Sequence, residues 1–260
     1  MRKPQPSDRQ IPRRRVLKHS LLASAGLYLN DAIAQPRDNT LRIAVASNFR
    51  PVLDLLLTHH ALENLPSVTV SSASTGVLFQ QIRFGAPFDL FLAADQLRPQ
   101  TLYKAGIGHQ PKRYCRGRLT LLSRHDNASN TDRPAIQADH HIALADPKLA
   151  PYGLAADTLL SQWQVDAGQR LLASNTAQAL QWFTQGKADW ALLPLSLVKQ
   201  TNLKYQLIDA AQHPAIDQYG QRLNDKPAAL EFEQWLLSER IQALIVEQGY
   251  AAINEKEDHS

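Results

Sequence analysis

The sequence predicts an α/β protein of two lobes, and three observations carry that expectation. Short apolar runs of strand character recur along the chain: LRIAVA at 41–46, SVTVSS at 67–72, FDLFLAA at 88–94, RLTLLS at 118–123, HIALAD at 141–146 and DWALLPL at 189–195. Helix-period segments separate most of them, and such alternation calls for parallel sheets flanked by helices. Finally, the patterns lapse twice, in the polar, Gly-bearing KRYCRGR at 112–118 and in AAQHPAID at 210–217. If both are crossings, the first lobe is discontinuous, 35–114 with 214–260, and the second is 115–213. Two short crossings make a hinge.

The chain opens with a segment that reads as a signal peptide, 1–34, rather than as part of either lobe. A basic stretch ends in RRRVLK (13–18) and is followed by LLASAGLYL and then AIAQ, where Ala32 and Ala34 are the small residues a signal peptidase accepts. The apolar run is far shorter than the ~20 residues a membrane span needs. Arg13 and Arg14 ahead of Val16 and Leu17 resemble a twin-arginine signal; a general secretory signal with an extended basic region is the other reading. Both lead out of the cytoplasm, to a soluble periplasmic protein.

The same segment accounts for the charge. The 260 residues carry a formal charge of +4, but seven of the 28 Lys and Arg lie in 1–34 against two of the 24 Asp and Glu. Beyond residue 34 the two signs nearly balance, which removes nucleic acid as a partner. With 44% hydrophobic and 20% charged residues the remainder is an ordinary globular chain. Cys115, the one cysteine, leaves no internal disulfide to form, so the core must hold the fold.

In open α/β sheets ligands bind beyond the carboxyl ends of strands, where the chain turns into a helix. Ser47 and Asn48 follow the first strand; Ser74, Thr75 and Gly76 follow the second; Ser174, Asn175 and Thr176 enter a later helix; Pro151, Tyr152 and Gly153 open another. Any one such turn is ordinary helix capping. Together they offer neutral N–H and O–H donors at the positive ends of several helices, which suits an anion.

STG followed by QI, then GAPFD and FLAAD in that order, with APYGLA and the later ALIVEQGY, resembles the periplasmic molybdate-binding proteins that feed an ATP-driven importer. The likeness covers nearly the whole chain after residue 34. It implies a type II periplasmic binding protein fold closing on a tetrahedral oxyanion, molybdate or tungstate. Carried over, Ser47 or Asn48, Ser74 or Thr75, Tyr152 and Thr176 fall where the family donates hydrogen bonds to the ligand. It also implies a monomer, a membrane permease of an ABC importer as partner, no cofactor and no directly bound cation.

Three positions depart from the family. Pro194 stands where some members supply a Tyr, and it has no N–H to offer. The stretch IDQYGQRLN at 216–224 is unusually polar for a returning strand. Thr176 replaces a residue more often apolar, so its hydroxyl is either a donor or a cap.

Other readings compete. The same fold could take sulfate or phosphate. A secreted α/β hydrolase would need a Ser with a His and an acid in reach, and no His lies near the key serines in sequence. His59 with His60, and His140 with His141, are adjacent rather than spaced as metal ligands, which makes them surface histidines. Asp89 and Asp95 bracket a strand and read as partners of nearby backbone. Trp163, Trp182, Trp190 and Trp235 lie in apolar patterns and read as core.

Overall fold

The computed structural model describes residues 40–59, 67–125 and 134–253. The expected signal segment lies outside them, as does His60. The chain runs β1 (Leu41–Ala46), α1 (Arg50–His59), β2 (Val68–Ala73), α2 (Thr75–Arg83), β3 (Leu90–Ala93), α3 (Leu97–Lys104) and β4 (Lys112–Arg116). There follow β5 (Leu119–Ser123), β6 (Ile142–Ala145), α4 (Pro151–Gln162), β7 (Arg170–Ala173), α5 (Thr176–Thr184), β8 (Trp190–Pro194), α6 (Leu195–Val198) and β9 (Gln206–Leu207). The described chain closes with β10 (Asp217–Arg222), α7 (Pro227–Leu236) and α8 (Glu239–Glu247).

Two five-stranded sheets result, ordered β2-β1-β3-β10-β4 and β7-β6-β8-β5-β9. In each, one strand is flanked by parallel neighbours: β1 by β2 and β3, β6 by β7 and β8. The sheets are mixed rather than wholly parallel, which corrects the simple alternation argument. β10 runs antiparallel to β3 and β4, and β5 to β8 and β9. Both are the first strand after a change of sheet, so each arrives from the other lobe and inserts against the direction of the parallel set. The two passages touch: the Gly117 N–H donates to the Ile216 carbonyl at 2.9 Å.

KRYCRGR holds a strand after all. In β4 the inward side chains, Tyr114 and Cys115, are completely buried, while Lys112 and Arg116 pair with Glu233 and Asp217 at 2.7 and 2.6 Å. Charge on an edge strand hides its period in sequence and protects the edge from further pairing. The polar β10 has a different explanation. Gln218 and Gln221 are fully buried, and the N–H groups of both amides are taken up: the Gln218 amide donates to the Ile216 carbonyl (2.9 Å), the Gln221 amide to the Ile107 and His109 carbonyls (3.1 and 3.0 Å), while Gln221 Oε1 has no partner among the described residues. A buried amide is tolerated when its hydrogen bonds are made.

Apolar side chains fill both faces of each sheet. Ile43, Val45, Phe49, Tyr114, Phe232 and Trp235 centre one core under α1, α7 and α8. Leu144, Leu159, Trp163 and Trp190 centre another under α4. At about 1.5–3 kcal/mol for each fully buried large side chain, this burial replaces any need for a disulfide. Trp163, Trp190 and Trp235 are buried and Trp182 is half-buried against the α5 side of the second sheet.

Candidate functional site

β1 and β2 run parallel and in register to their last residues, Ala46 opposite Ala73, and the Ser47 N–H donates to the Ala73 carbonyl at 3.0 Å. The turns carrying Ser47–Asn48 and Ser74–Thr75 therefore emerge side by side at one sheet edge. The second lobe repeats the device. Ala145 of β6 lies opposite Ala173 of β7, and the Asp146 N–H donates to the Ala173 carbonyl at 2.7 Å, which sets the start of α4 beside the start of α5. Two bonds then join the lobes at these ends. Ser47 Oγ lies 2.7 Å from Thr176 Oγ1, and the Gly76 N–H donates to the Leu149 carbonyl at 2.8 Å. The starts of α1, α2, α4 and α5 face one another across the gap.

Ser47, Asn48, Ser74, Thr75, Tyr152 and Thr176, the six residues singled out in sequence, are all buried there. Their hydrogen bonds separate capping from site chemistry. At α5 the cap is Asn175, whose Oδ1 accepts the Gln178 N–H at 3.0 Å; the Thr176 hydroxyl is instead bonded to Ser47. Ser74 occupies the cap position of α2, yet its hydroxyl caps nothing and has no hydrogen-bond partner, though only 2% of the residue is exposed. Thr75 Oγ1 accepts the Ala94 N–H at 3.1 Å, which leaves its proton for another acceptor. Among the described residues, no hydrogen bond takes up the backbone N–H of Asn48, Thr75, Tyr152 or Thr176. First-turn N–H groups have no partner within their own helix.

The Asn48 side chain is committed elsewhere. Its amide donates to Gln218 Oε1 (2.7 Å) and to the Tyr250 hydroxyl (3.0 Å), while the Asn48 main-chain carbonyl accepts from the Tyr250 hydroxyl and from Ser196 Oγ, both at 2.9 Å. Asn48 thus ties the β1–α1 turn to β10, to α6 of the second lobe and to Tyr250, beyond the end of α8. Of the two first-turn candidates, Ser47 keeps its hydroxyl in the gap and Asn48 offers its N–H.

Tyr152 sits in the first turn of α4 with its ring running back to the passage between the sheets. A Cβ on Gly117 would lie 2.1 Å from the phenol oxygen, so the ring fits only because residue 117 has no side chain. Burial raises the pKa of this phenol well above its ordinary value, Tyr250 and Cys115 adding to the shift and the Arg118 backbone opposing it. Burial likewise raises that of Tyr250, with Cys115 adding and the bonds to Ser196 and Asn48 opposing. Both remain neutral O–H groups.

No Lys or Arg side chain bonds any of the six among the described residues. Arg50, at the start of α1, is held by Asp54 and the Val70 carbonyl. The attraction for an anion must come from N–H and O–H dipoles and from helix ends, each equivalent to about half a positive charge. Sequence reading missed Ser196, Gln218 and Tyr250, although the polar β10 and the ALIVEQGY segment flagged two of them.

The remaining candidates resolve as structure. Asp95 Oδ1 accepts the Arg98 N–H at 2.8 Å and caps α3; Asp89 accepts from the Arg42 N–H (2.7 Å) and the Asn224 amide (2.8 Å). His140 stacks on His125 with ring centres 4.3 Å apart and accepts the Trp190 indole N–H at 3.0 Å. No group of three or more metal-binding side chains is present among the described residues.

Two α/β lobes joined by paired passages, with helix ends and hydroxyls converging between them, define the class of solute-binding proteins. The chain belongs to the family of bacterial extracellular solute-binding proteins, which it matches over residues 41–251. Within that class its resemblance to molybdate-binding proteins holds. It is 30% identical over 185 residues to the molybdate-binding protein ModA of Azotobacter vinelandii, covering 68% of this chain and 73% of that one. It is 30% identical over 162 residues to ModA of Rhodobacter capsulatus, where it spans 64% of the relative, just under two thirds. The solved periplasmic molybdate-binding protein of Azotobacter vinelandii superposes with a TM-score of 0.76 at 26% identity, over 82% of this chain and all of that one.

Proposed function

We propose that the protein captures molybdate or tungstate as the dianion between its lobes and delivers it to the membrane permease of an ABC importer. The observation that carries this reading is the convergence of four helix starts with buried neutral donors, among them a Ser74 hydroxyl without a partner. Hydrogen bonds to a charged acceptor contribute about 1.5–3 kcal/mol each, so six or seven suffice for a Kd between micromolar and nanomolar once ordering costs are subtracted. Ser47, Ser74, Thr75, Tyr152 and Thr176, with the Asn48 N–H, form the site. The molybdate-binding relatives supply the identity of the anion.

In this reading the protein is exported by its N-terminal segment, works as a periplasmic monomer and carries no cofactor. The lobes are 35–114 with 214–260 and 115–213, and the hinge lies at the paired passages around Gly117 and Ile216. The hydrolase alternative loses support from the serines themselves, since Ser47 is bonded to a threonine and Ser74 to nothing. Isothermal titration of the mature protein with molybdate tests the proposal. One anion per chain with a Kd of micromolar or below is expected; no heat at millimolar anion would refute it.

A further inference from the structure

Gly76, the second residue of α2, brings main chain against main chain between the lobes. Its N–H donates to the Leu149 carbonyl at 2.8 Å. A Cβ on Gly76 would stand 2.9 Å from that oxygen, 3.2 Å from Leu149 Cα and 3.3 Å from an Arg98 nitrogen. The first two obstacles are main chain, which cannot rotate aside as a side chain would. Arg98, in the first turn of α3, reaches over the same gap. Its Nη2 donates to the Lys148 carbonyl at 2.9 Å, while Nη1 is held by Asp95, the same carboxylate that caps the helix. The Asp95 carboxylate thus fixes the guanidinium from within the first lobe. Two successive carbonyls on the loop that leads into α4 and Tyr152 are gripped by two donors of the first lobe.

We propose that Gly76 and Arg98 form a latch on the Lys148 and Leu149 carbonyls that sets how long the closed protein retains its oxyanion. The inference rests on the proposed function above. Both bonds require the lobes to be together, so they form after the anion has entered and act on its escape more than on its arrival. Gly76 contributes by having no side chain, and Ala there would hold the lobes a few tenths of an ångström apart.

The test is a chase of radiolabelled molybdate by excess unlabelled molybdate from the parent protein, Gly76→Ala and Arg98→Met. Each variant is expected to release molybdate roughly three- to tenfold faster, the loss of about one hydrogen bond, with association within about twofold of the parent. The ligand-free melting temperature of Gly76→Ala should be unchanged or raised, because Ala is the better helix former. A merely structural role would lower it, and in that case the Arg98→Met rate decides. If the parent binds and both variants release at the parent rate, the latch is overturned while the binding function stands. If the parent binds no oxyanion, the function falls and the latch with it.

Discussion

Ser47 Oγ and Thr176 Oγ1 lie 2.7 Å apart although 129 residues separate them in the chain, and each belongs to a different lobe. Each hydroxyl can donate one proton and accept others, so the pair can bond to each other and still present a donor to an anion between them. Ser47→Ala and Thr176→Val should each weaken molybdate binding by about 0.5–1.5 kcal/mol. The double variant should lose less than the sum of the singles, since the two groups are in contact. Strict additivity in calorimetric titrations would contradict this.

Ser74→Ala separates binding from folding. No protein group among the described residues bonds the buried Ser74 hydroxyl, so deleting it should leave stability to urea unchanged or raise it. Oxyanion affinity should fall by about 1–3 kcal/mol. A variant that unfolds more easily but binds normally would assign Ser74 a structural role instead.

Asn48→Ala should do the reverse. It removes the donor to Gln218 and to the Tyr250 hydroxyl, both completely or nearly completely buried. Leaving Gln218 Oε1 without its donor costs about 1–3 kcal/mol, while the Tyr250 hydroxyl keeps its bond to the main-chain carbonyl of residue 48, so denaturation by urea should show a loss of stability of that size. Equal stability to the parent would mean the Asn48 network is dispensable.

The strand-end turns were legible because their chemistry is local: hydroxyl and Gly residues between an apolar strand and a helical pattern have few uses. The β6 and β8 runs were legible for a similar reason, since strands covered on both sides read as continuous apolar stretches. β4 and β10 were not. Their burial depends on ion pairs and amide bonds to residues about 100 or more positions away, such as Lys112 with Glu233 and Gln221 with Ile107, which no local period reveals. For the same reason the sequence shows Asn48 as a candidate donor but not that its side chain is spent on Gln218 and Tyr250, 170 and 202 positions away, which leaves its main-chain N–H as the group it can offer.

Alkaline stability follows from the buried phenols. Burial raises the pKa of Tyr114, Tyr152 and Tyr250 above the ordinary value of 10.0, and that of the Cys115 thiol above 9.0. The folded state therefore keeps protons that the unfolded chain releases. With fewer protons bound in the unfolded state, stability falls as pH rises, beginning near pH 9 and steepening above 10. Each group contributes up to about 1.4 kcal/mol per pH unit. Urea denaturation between pH 8 and 11 should show this decline, and a flat profile above pH 10 would contradict the burial of these groups.

The central claim is that the interlobe donors select a large tetrahedral dianion, and melting of the mature protein with four anions tests it most directly. A ligand that binds only the folded state at a thousandfold excess over its Kd stabilises it by about 4 kcal/mol, a clear rise in melting temperature for a chain of this size. Molybdate and tungstate should each produce that rise. Sulfate and phosphate at equal concentration should produce far less, because a smaller ion leaves buried donors unmet at about 1–3 kcal/mol each. Equal shifts from all four anions, a larger shift from sulfate or phosphate, or no shift from any would contradict it.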